Sequence, residues 1–345
     1  MEIIGKYEMT TATTNHLGDD VYALEFKLTV PGEYRFQAIL TSPGGDVTFA
    51  SVVHDVKVNP EFKTPRTMRY CDREDIGNVT GRWVSCQEDV LKMTGATSCS
   101  RMELEHRFDF DGHHEFHWLP YDCQMKTFSK QALKNCMKDN HYDSICFFGD
   151  SHTRERFYHN YYRLTEKECP ECTKVHENRA LAVGGGNKLR FYWDNFNQQF
   201  QDVFLRAKNY PASVSDCDVF VVNVGNWLAG KKWAQIFKTY DNAVQAVRNM
   251  RKLEVKSKMD KKPFIWISTV AKPKLLHIHF LMNKYMDTLV DELHEERVDA
   301  WQISAKRLYN SLDHSHFAAN VKGVGNGGAV EFAITTILWN KLCAD

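Results

Sequence analysis

The sequence lacks an excess of either charge: 44 Lys and Arg stand against 44 Asp and Glu. With no net positive field to draw it to polyanions, a nucleic-acid function is not expected, nor is attraction to an anionic membrane. No run approaches the roughly 18 consecutive apolar residues of a membrane span, so none is expected in this chain. The opening Met-Glu-Ile-Ile-Gly-Lys-Tyr-Glu lacks the basic stretch and apolar core of a secretory signal. No internal repeat is apparent.

What is present bounds the class. At roughly 100–200 residues per domain, 345 residues allow two domains, or one large one with an appendage. An apolar content of 43%, with aromatic residues making up 12% of the chain, is enough to bury a substantial core and excludes a disordered or fibrous protein. Ten cysteines, eight of them between Cys71 and Cys172, read as a disulfide framework and hence an oxidising compartment. The sequon Asn78-Val79-Thr80 agrees with a secretory route. Cys169-Pro170-Glu171-Cys172 with His176 has half the spacing of a zinc site, but no second Cys/His pair follows, so a tight disulfide is expected there.

Hydrophobic periodicity divides the chain. From Tyr22 to Val30, from Tyr34 to Leu40 and from Val47 to Val53, apolar residues recur at every second position, broken by Pro31-Gly32 and Ser42-Pro43-Gly44-Gly45. A small β-sandwich over 1–60 is expected, with a linker from Asn59 to Pro65. Residues 66–140 read as a cysteine-stapled lobe. Beyond it, short apolar runs at Ile145–Phe148, Leu189–Trp193, Val219–Val224, Phe264–Val270 and Val298–Ile303 predict strands. Helical spacing predicts helices over Thr153–Leu164, Trp233–Met250, Met282–Leu293 and Ala329–Leu342. Alternating strands and helices predict an α/β domain with a parallel sheet, whose site lies at the carboxyl ends of its strands. The basic run Arg248–Lys262, interrupted by Glu254 and Asp260, reads as a solvated helix end.

Three segments carry candidate chemistry. Gly149-Asp150-Ser151 sits where a strand gives way to a helix, so the Ser151 hydroxyl can project beside helical amides that lack intrahelical partners. A simple helix cap uses the same residue types. Asp313-His314-Ser315-His316 places a carboxylate three residues before a histidine, which gives Ser151, Asp313 and His316 the order and division of labour of a serine triad, His314 being the competing base. Asn223-Val224-Gly225-Asn226-Trp227 follows a buried strand and offers an oxyanion amide from either asparagine, while Gly186, in Gly184-Gly185-Gly186, offers a backbone donor. Arg154 either pairs near the nucleophile or is a helix-surface charge. Trp118, Trp193 and Trp227 either stack on a sugar face or belong to the core.

These residues resemble a known family. Gly149-Asp150-Ser151 with Asp313-x-x-His316 is similar to the SGNH (GDSL-type) hydrolases. The order Cys71-Asp72, Gly81-Arg82-Trp83-Val84, Trp118-x-Pro120-x-x-Cys123, Gly149-Asp150-Ser151-x-x-Arg154, Phe191-Tyr192-Trp193 and Asn223-x-Gly225-x-Trp227 resembles their PC-esterase branch, as in trichome birefringence-like acetyltransferases. The β-rich leader resembles the immunoglobulin-like module of the neurexophilin and PC-esterase (NXPE) proteins. The third block of the superfamily reads Gly-x-Asn, whereas here Asn226 directly follows Gly225.

The resemblance implies a flavodoxin-type three-layer catalytic domain over 66–345 and an O-acetyltransferase or acetylesterase working on carbohydrate. Ser151 would carry the acyl group, His316 and Asp313 would handle the proton, and Ser151, Gly186, Gly225 and Asn223 or Asn226 would bind the oxyanion. Arg154, Trp193 and Trp227 would bind substrate, with no metal or cofactor, and water or a sugar hydroxyl would accept the acyl group. A catalytically silent carbohydrate-binding or adhesion protein is the alternative. The implied location is the Golgi lumen or the exterior, with the signal segment missing from this sequence. Most cysteines are then expected to be paired, Cys146 being the candidate for a buried free thiol.

Overall fold

The computed structural model describes residues 2–19, 21–41, 47–50, 55–58, 67–77, 79–96, 99, 116–167, 169, 176–272, 275–307, 316–317 and 328–343. The site is positioned by a six-stranded sheet of β10 (Ser144–Gly149), β11 (Arg179–Gly184), β12 (Asn187–Trp193), β13 (Val219–Val222), β14 (Phe264–Ile267) and β15 (Glu296–Val298), in the order β11-β12-β10-β13-β14-β15. All neighbours are parallel except the β11–β12 hairpin. Numbered along the chain, the five parallel strands lie in the order 2-1-3-4-5. Chain direction across the sheet therefore reverses at β10, and the carboxyl end of β10 is the switch point where a doubly wound sheet leaves a crevice.

Each strand sends alternate residues to opposite faces, as a pleated strand must. Ile145 and Phe147, Val219 and Val221, and Ile265 and Ile267 enter one core together with Phe157, Ile334, Ile337 and Trp339. Cys146 and Phe148, Phe220 and Val222, and Phe264 and Trp266 enter the other, with Ile236, Tyr240, Val247, Met250, Met282 and Met286. The first face is covered by α4 (Ser151–Thr165) and α9 (Ala329–Cys343), the second by α6 (Trp233–Lys256) and α7 (Leu276–Leu293). Between them in sequence lie α1 (Arg73–Gly77), α2 (Glu88–Thr94), α3 (Lys130–Asp139), α5 (Gln198–Phe204) and α8 (Ala300–Ala305).

The strand expected over Val298–Ile303 ends at Val298. The Asp299 carboxylate accepts from Gln302 N at 2.9 Å, and this cap turns Ala300–Ala305 into α8. The strand expected from Tyr22 to Val30 stops at Glu25. The backbone N–H groups of Thr29 and Val30 donate instead to the Glu8 carboxylate, at 2.8 and 3.0 Å.

A second, antiparallel sheet runs β6 (Val47–Ala50), β5 (Gly32–Thr41), β1 (Glu2–Gly5), β2 (Glu8–Thr11), β8 (Gly81–Ser85) and β9 (Phe116–Pro120), with β7 (Asp55–Val58) also on β5. Strands β3 (Thr13–Gly18) and β4 (Val21–Glu25) pair separately. Because β2 pairs with β8, this sheet is continuous from the first 60 residues into the segment expected to be the cysteine-rich lobe. A fully buried Glu8–Arg82 ion pair at 3.2 Å spans the same junction. The expected linker, 59–65, lies outside the described residues. Trp118, in the middle of β9, is a buried core residue. The Trp83 indole N–H donates to Ile303 O at 3.0 Å, which ties β8 to α8 of the other layer.

Disulfides join Cys71–Cys123, Cys86–Cys99, Cys136–Cys343 and Cys146–Cys217, and Cys169 is disulfide-bonded too. Cys146 is therefore not a free thiol. It bridges to Cys217, two residues before the adjacent strand β13, and the Cα separation of 5.7 Å suits a disulfide. This pairing is that of a protein folded under oxidising conditions. No helix among the described residues is long and apolar enough to cross a membrane.

Candidate active site

Strand β10 ends on Gly149, where any Cβ would stand 2.2 Å from Thr153 Oγ1 and 2.6 Å from Asn223 O. Only glycine permits that approach, which brings the start of α4 against the end of β13. Asp150 then caps α4, its Oδ1 accepting from His152 N at 3.0 Å. Ser151 is thus the first residue of a helix, at the switch point of the sheet. His316 Nε2 stands 2.8 Å from Ser151 Oγ, within hydrogen-bond reach across 165 residues. Asp313 and His314 lie outside the described residues.

The surroundings of this pair are buried and charged. On α4, His152, Arg154, Glu155, Arg156, His159, Asn160 and Arg163 are all buried. Arg156 Nε donates to Glu331 Oε2 of α9 at 3.1 Å with both side chains fully enclosed. Arg163 donates to Thr335 and Thr336, and the Trp339 indole donates to Asn160 Oδ1 at 2.6 Å. Burial pushes the Asp150 carboxyl up, opposed by its backbone hydrogen bond and by Arg156. Burial, with help from the nearby His316, Lys272 and Arg156, holds His152 well below the usual histidine range, so it is neutral. Its ring lies 4.9 Å from that of His316, and neither of its nitrogens has a hydrogen-bond partner among the described residues.

His152, Glu155 and Glu331 each bring one donor atom within 4.8 Å of the others. The Arg156 guanidinium already neutralises Glu331 there, so the cluster is a closed charge network rather than a cation cage. In the Cys71, Asp75 and Cys123 cluster, the two sulfurs are disulfide-bonded and supply no thiolate.

The expected oxyanion residues separate. Asn223 is 1% exposed and fully engaged, donating to Ile267 O at 2.7 Å and accepting from Thr153 Oγ1 at 3.5 Å. It pins β13 to the end of β14. Asn226 is half-buried, and its Oδ1 is enclosed without a hydrogen-bond partner among the described residues. Rotation of that amide by 180° exchanges the oxygen for the NH2 and makes it a donor. Gly225 is required for a different reason than contact with substrate: a Cβ there would fall 1.7 Å from Thr269 Oγ1, beyond β14.

Gly186 is displaced altogether. It lies in the β11–β12 turn, with φ of +89°, next to the start of β12. The register pairs Ser144 with Lys188 and Gly149 with Trp193, so Gly186 is at the opposite end of the sheet from Ser151. At about 3.3 Å per residue the separation is on the order of 20 Å, and Gly186 cannot bind an oxyanion on Ser151.

Trp193 and Trp227 are both brought to the carboxyl end, at the ends of the strands flanking β10. Their ring centroids lie 6.3 Å apart, nearly perpendicular. His176 packs on Trp193 at 4.1 Å, Phe196 meets Trp227 at 6.2 Å edge to face, and Lys231 lies over Phe196. Trp227 is 43% exposed, leaving a flat apolar surface open at the carboxyl end of the sheet. Phe196 carries no motif in the sequence, and His176 stands out there only beside Cys169 and Cys172; their position just before and after strands that end at the site is the signal that places both here. Arg154, one turn into α4, is buried, and its Nη1 has no partner among the described residues.

No protein-family model matches the chain, and no curated protein matches it. Among solved structures it is similar to Axe2, an acetylxylan esterase from Geobacillus stearothermophilus, at 11% identity, covering 58% of this chain and 94% of that one, with a TM-score of 0.35. A catalytic mutant of Axe2 matches at 11% identity over 59% and 95% of the two chains, also with a TM-score of 0.35. Likeness at that level assigns neither an activity nor residue roles to this chain.

Proposed function

We propose that the chain is a serine-dependent carbohydrate O-acyl enzyme, an O-acetyltransferase or acetylesterase of the SGNH, PC-esterase type, acting from the domain over 66–345. The observation that carries this reading is the 2.8 Å approach of His316 Nε2 to Ser151 Oγ at the switch point of a parallel sheet. A helix-capping serine needs no histidine, and here Asp150 already does the capping. His316 takes the Ser151 proton as Oγ attacks the acyl carbonyl, and Asp313 orients the imidazole. The oxyanion is met by the Ser151 backbone N–H and by the Asn226 amide, in the place the sequence left open between Asn223 and Asn226.

Trp193 and Trp227 offer the sugar a stacking surface, and the buried Arg154 offers a charged donor. Water or a sugar hydroxyl then takes the acyl group. Release of acetate from, or transfer of acetyl to, a panel of oligosaccharides tests the reading. Wild-type protein is expected to turn over the acetyl ester and Ser151→Ala to lose at least about a thousandfold in rate. Undiminished turnover by Ser151→Ala rejects it. Glycan binding without any ester turnover in the wild type favours the silent binding protein, for which the aromatic cluster alone suffices.

A further inference from the structure

The buried polar side chains of α4 include one that the triad does not use. Glu155 follows Ser151 by four residues, so the two share a helix face one turn apart. His316, bonded to Ser151 Oγ, consequently lies over the turn that carries Glu155, and Glu155 Oε1 stands 3.9 Å from His316 Nε2. The glutamate is buried while His316 is partly open. The other described groups facing the imidazole are Asp150, which caps α4, and the neutral His152 ring. Lys272, beyond β14, acts on both, and Arg156 and Glu331 close the network behind them.

We propose that Glu155 is a positioning residue for His316: its carboxylate holds the imidazole against Ser151 and opposes the positive charge that develops when His316 is protonated. This rests on the acyl-serine reading. In acylation the Ser151 Oγ–H proton passes to His316 Nε2 while Oγ bonds to the acyl carbon and the carbonyl π electrons move to oxygen. Collapse breaks the bond to the leaving oxygen, which takes the proton from Nε2. Glu155 forms no bond and takes no proton. Its charge favours the imidazolium over the neutral ring, which strengthens His316 as a base.

The test is the pH profile of kcat/KM for 4-nitrophenyl acetate with wild-type protein, Glu155→Gln and Glu155→Asp. A carboxylate beside a general base moves the acid limb of such a profile up, so its removal moves the limb down. Glu155→Gln is expected to move the acid-limb midpoint down by about 0.5–1 pH unit and to reduce kcat by about tenfold with KM unchanged. Glu155→Asp, which keeps the charge one methylene further back, is expected to restore most of the midpoint. Reduced activity with an unmoved midpoint makes Glu155 merely structural and overturns the proposal. If the glutamine variant does not fold, Glu155→Ala takes its place: a lowered midpoint supports the proposal, and one that stays at the wild-type value overturns it. Retained turnover in Ser151→Ala defeats the acyl-serine reading; an inactive Ser151→Ala with an unmoved Glu155→Gln profile defeats this inference alone.

Discussion

The two faces of the parallel sheet are made by the same strands, yet they are covered in opposite ways. Under α6 and α7 the contacts are apolar: Phe148, Val222 and Trp266 meet Ile236, Tyr240, Val247, Met250 and Met282. Under α4 and α9 an apolar layer is interleaved with enclosed charge, led by Arg156–Glu331 and by Arg163 on Thr335 and Thr336. The first face rests chiefly on complementary volume, with Asn283 and His279 bonded to the backbone of Thr269 and Val270 at its edge. The second requires specific partners, and that requirement fixes α4, and with it Ser151, relative to α9. Hydrophobic packing and placement of Ser151 are thus divided between the faces of one sheet.

The largest way to separate them is His316→Ala, which removes the base from the polar side while leaving both cores intact. Ester turnover is expected to fall by about 10²–10⁴-fold with an unchanged melting temperature. A comparable loss of folding stability would mean that the pair is structural. Next is Arg156→Met, which strands the Glu331 carboxylate in a site where burial already disfavours its charge. Chemical denaturation is expected to show a loss of about 3–5 kcal/mol, largely recovered in Arg156→Met/Glu331→Leu. The recovered double variant should still be slow, because α4 is no longer held in register; full activity would contradict the positioning role of the network. On the other face, Ile236→Ala is expected to cost about 2–5 kcal/mol of stability with kcat unchanged.

Acid provides a smaller and graded probe. Burial holds His279 of α7 down to about 3, with Lys272 adding to it. The folded state therefore excludes a proton that the unfolded chain binds below about pH 6.5. Stability present above that pH is lost as pH falls from 6.5 toward 3, at about 1.4 kcal/mol per pH unit from this residue. His279→Gln should flatten the pH dependence of the unfolding free energy by that amount; an unchanged slope would place the acid sensitivity elsewhere. The smallest effect expected is that of Trp227→Ala. Loss of a half-exposed stacking ring should raise KM for an acetylated oligosaccharide by about 2–10-fold and leave that for 4-nitrophenyl acetate unmoved.

Much of the apolar face could be read from the sequence, because period-2 strands and period-3.6 helices record burial directly. The run from Ile145 through Ser151 marked one carboxyl strand end for the same reason, while the strand order alone makes it the switch point. The polar face was less legible. A helix bearing Arg154, Glu155, Arg156, His159 and Arg163 has the composition of a solvated surface, and its partners on α9 lie about 170 residues away. Gly186 misled because a glycine run beside a strand carries no sign of which end of the sheet it occupies. Cys146 misled because its partner, Cys217, precedes a strand whose adjacency to β10 emerges only from the sheet order. Asn223 and Asn226 were indistinguishable until hydrogen bonding showed one of them committed to Ile267.

The central claim is that Ser151 is a nucleophile made reactive by His316, and covalent labelling addresses it most directly. After incubation with a fluorophosphonate, intact mass and peptide mapping are expected to show one adduct per chain, on Ser151, absent from Ser151→Ala and slowed in His316→Ala. An unlabelled wild-type protein, or an adduct that persists in Ser151→Ala, would contradict the account.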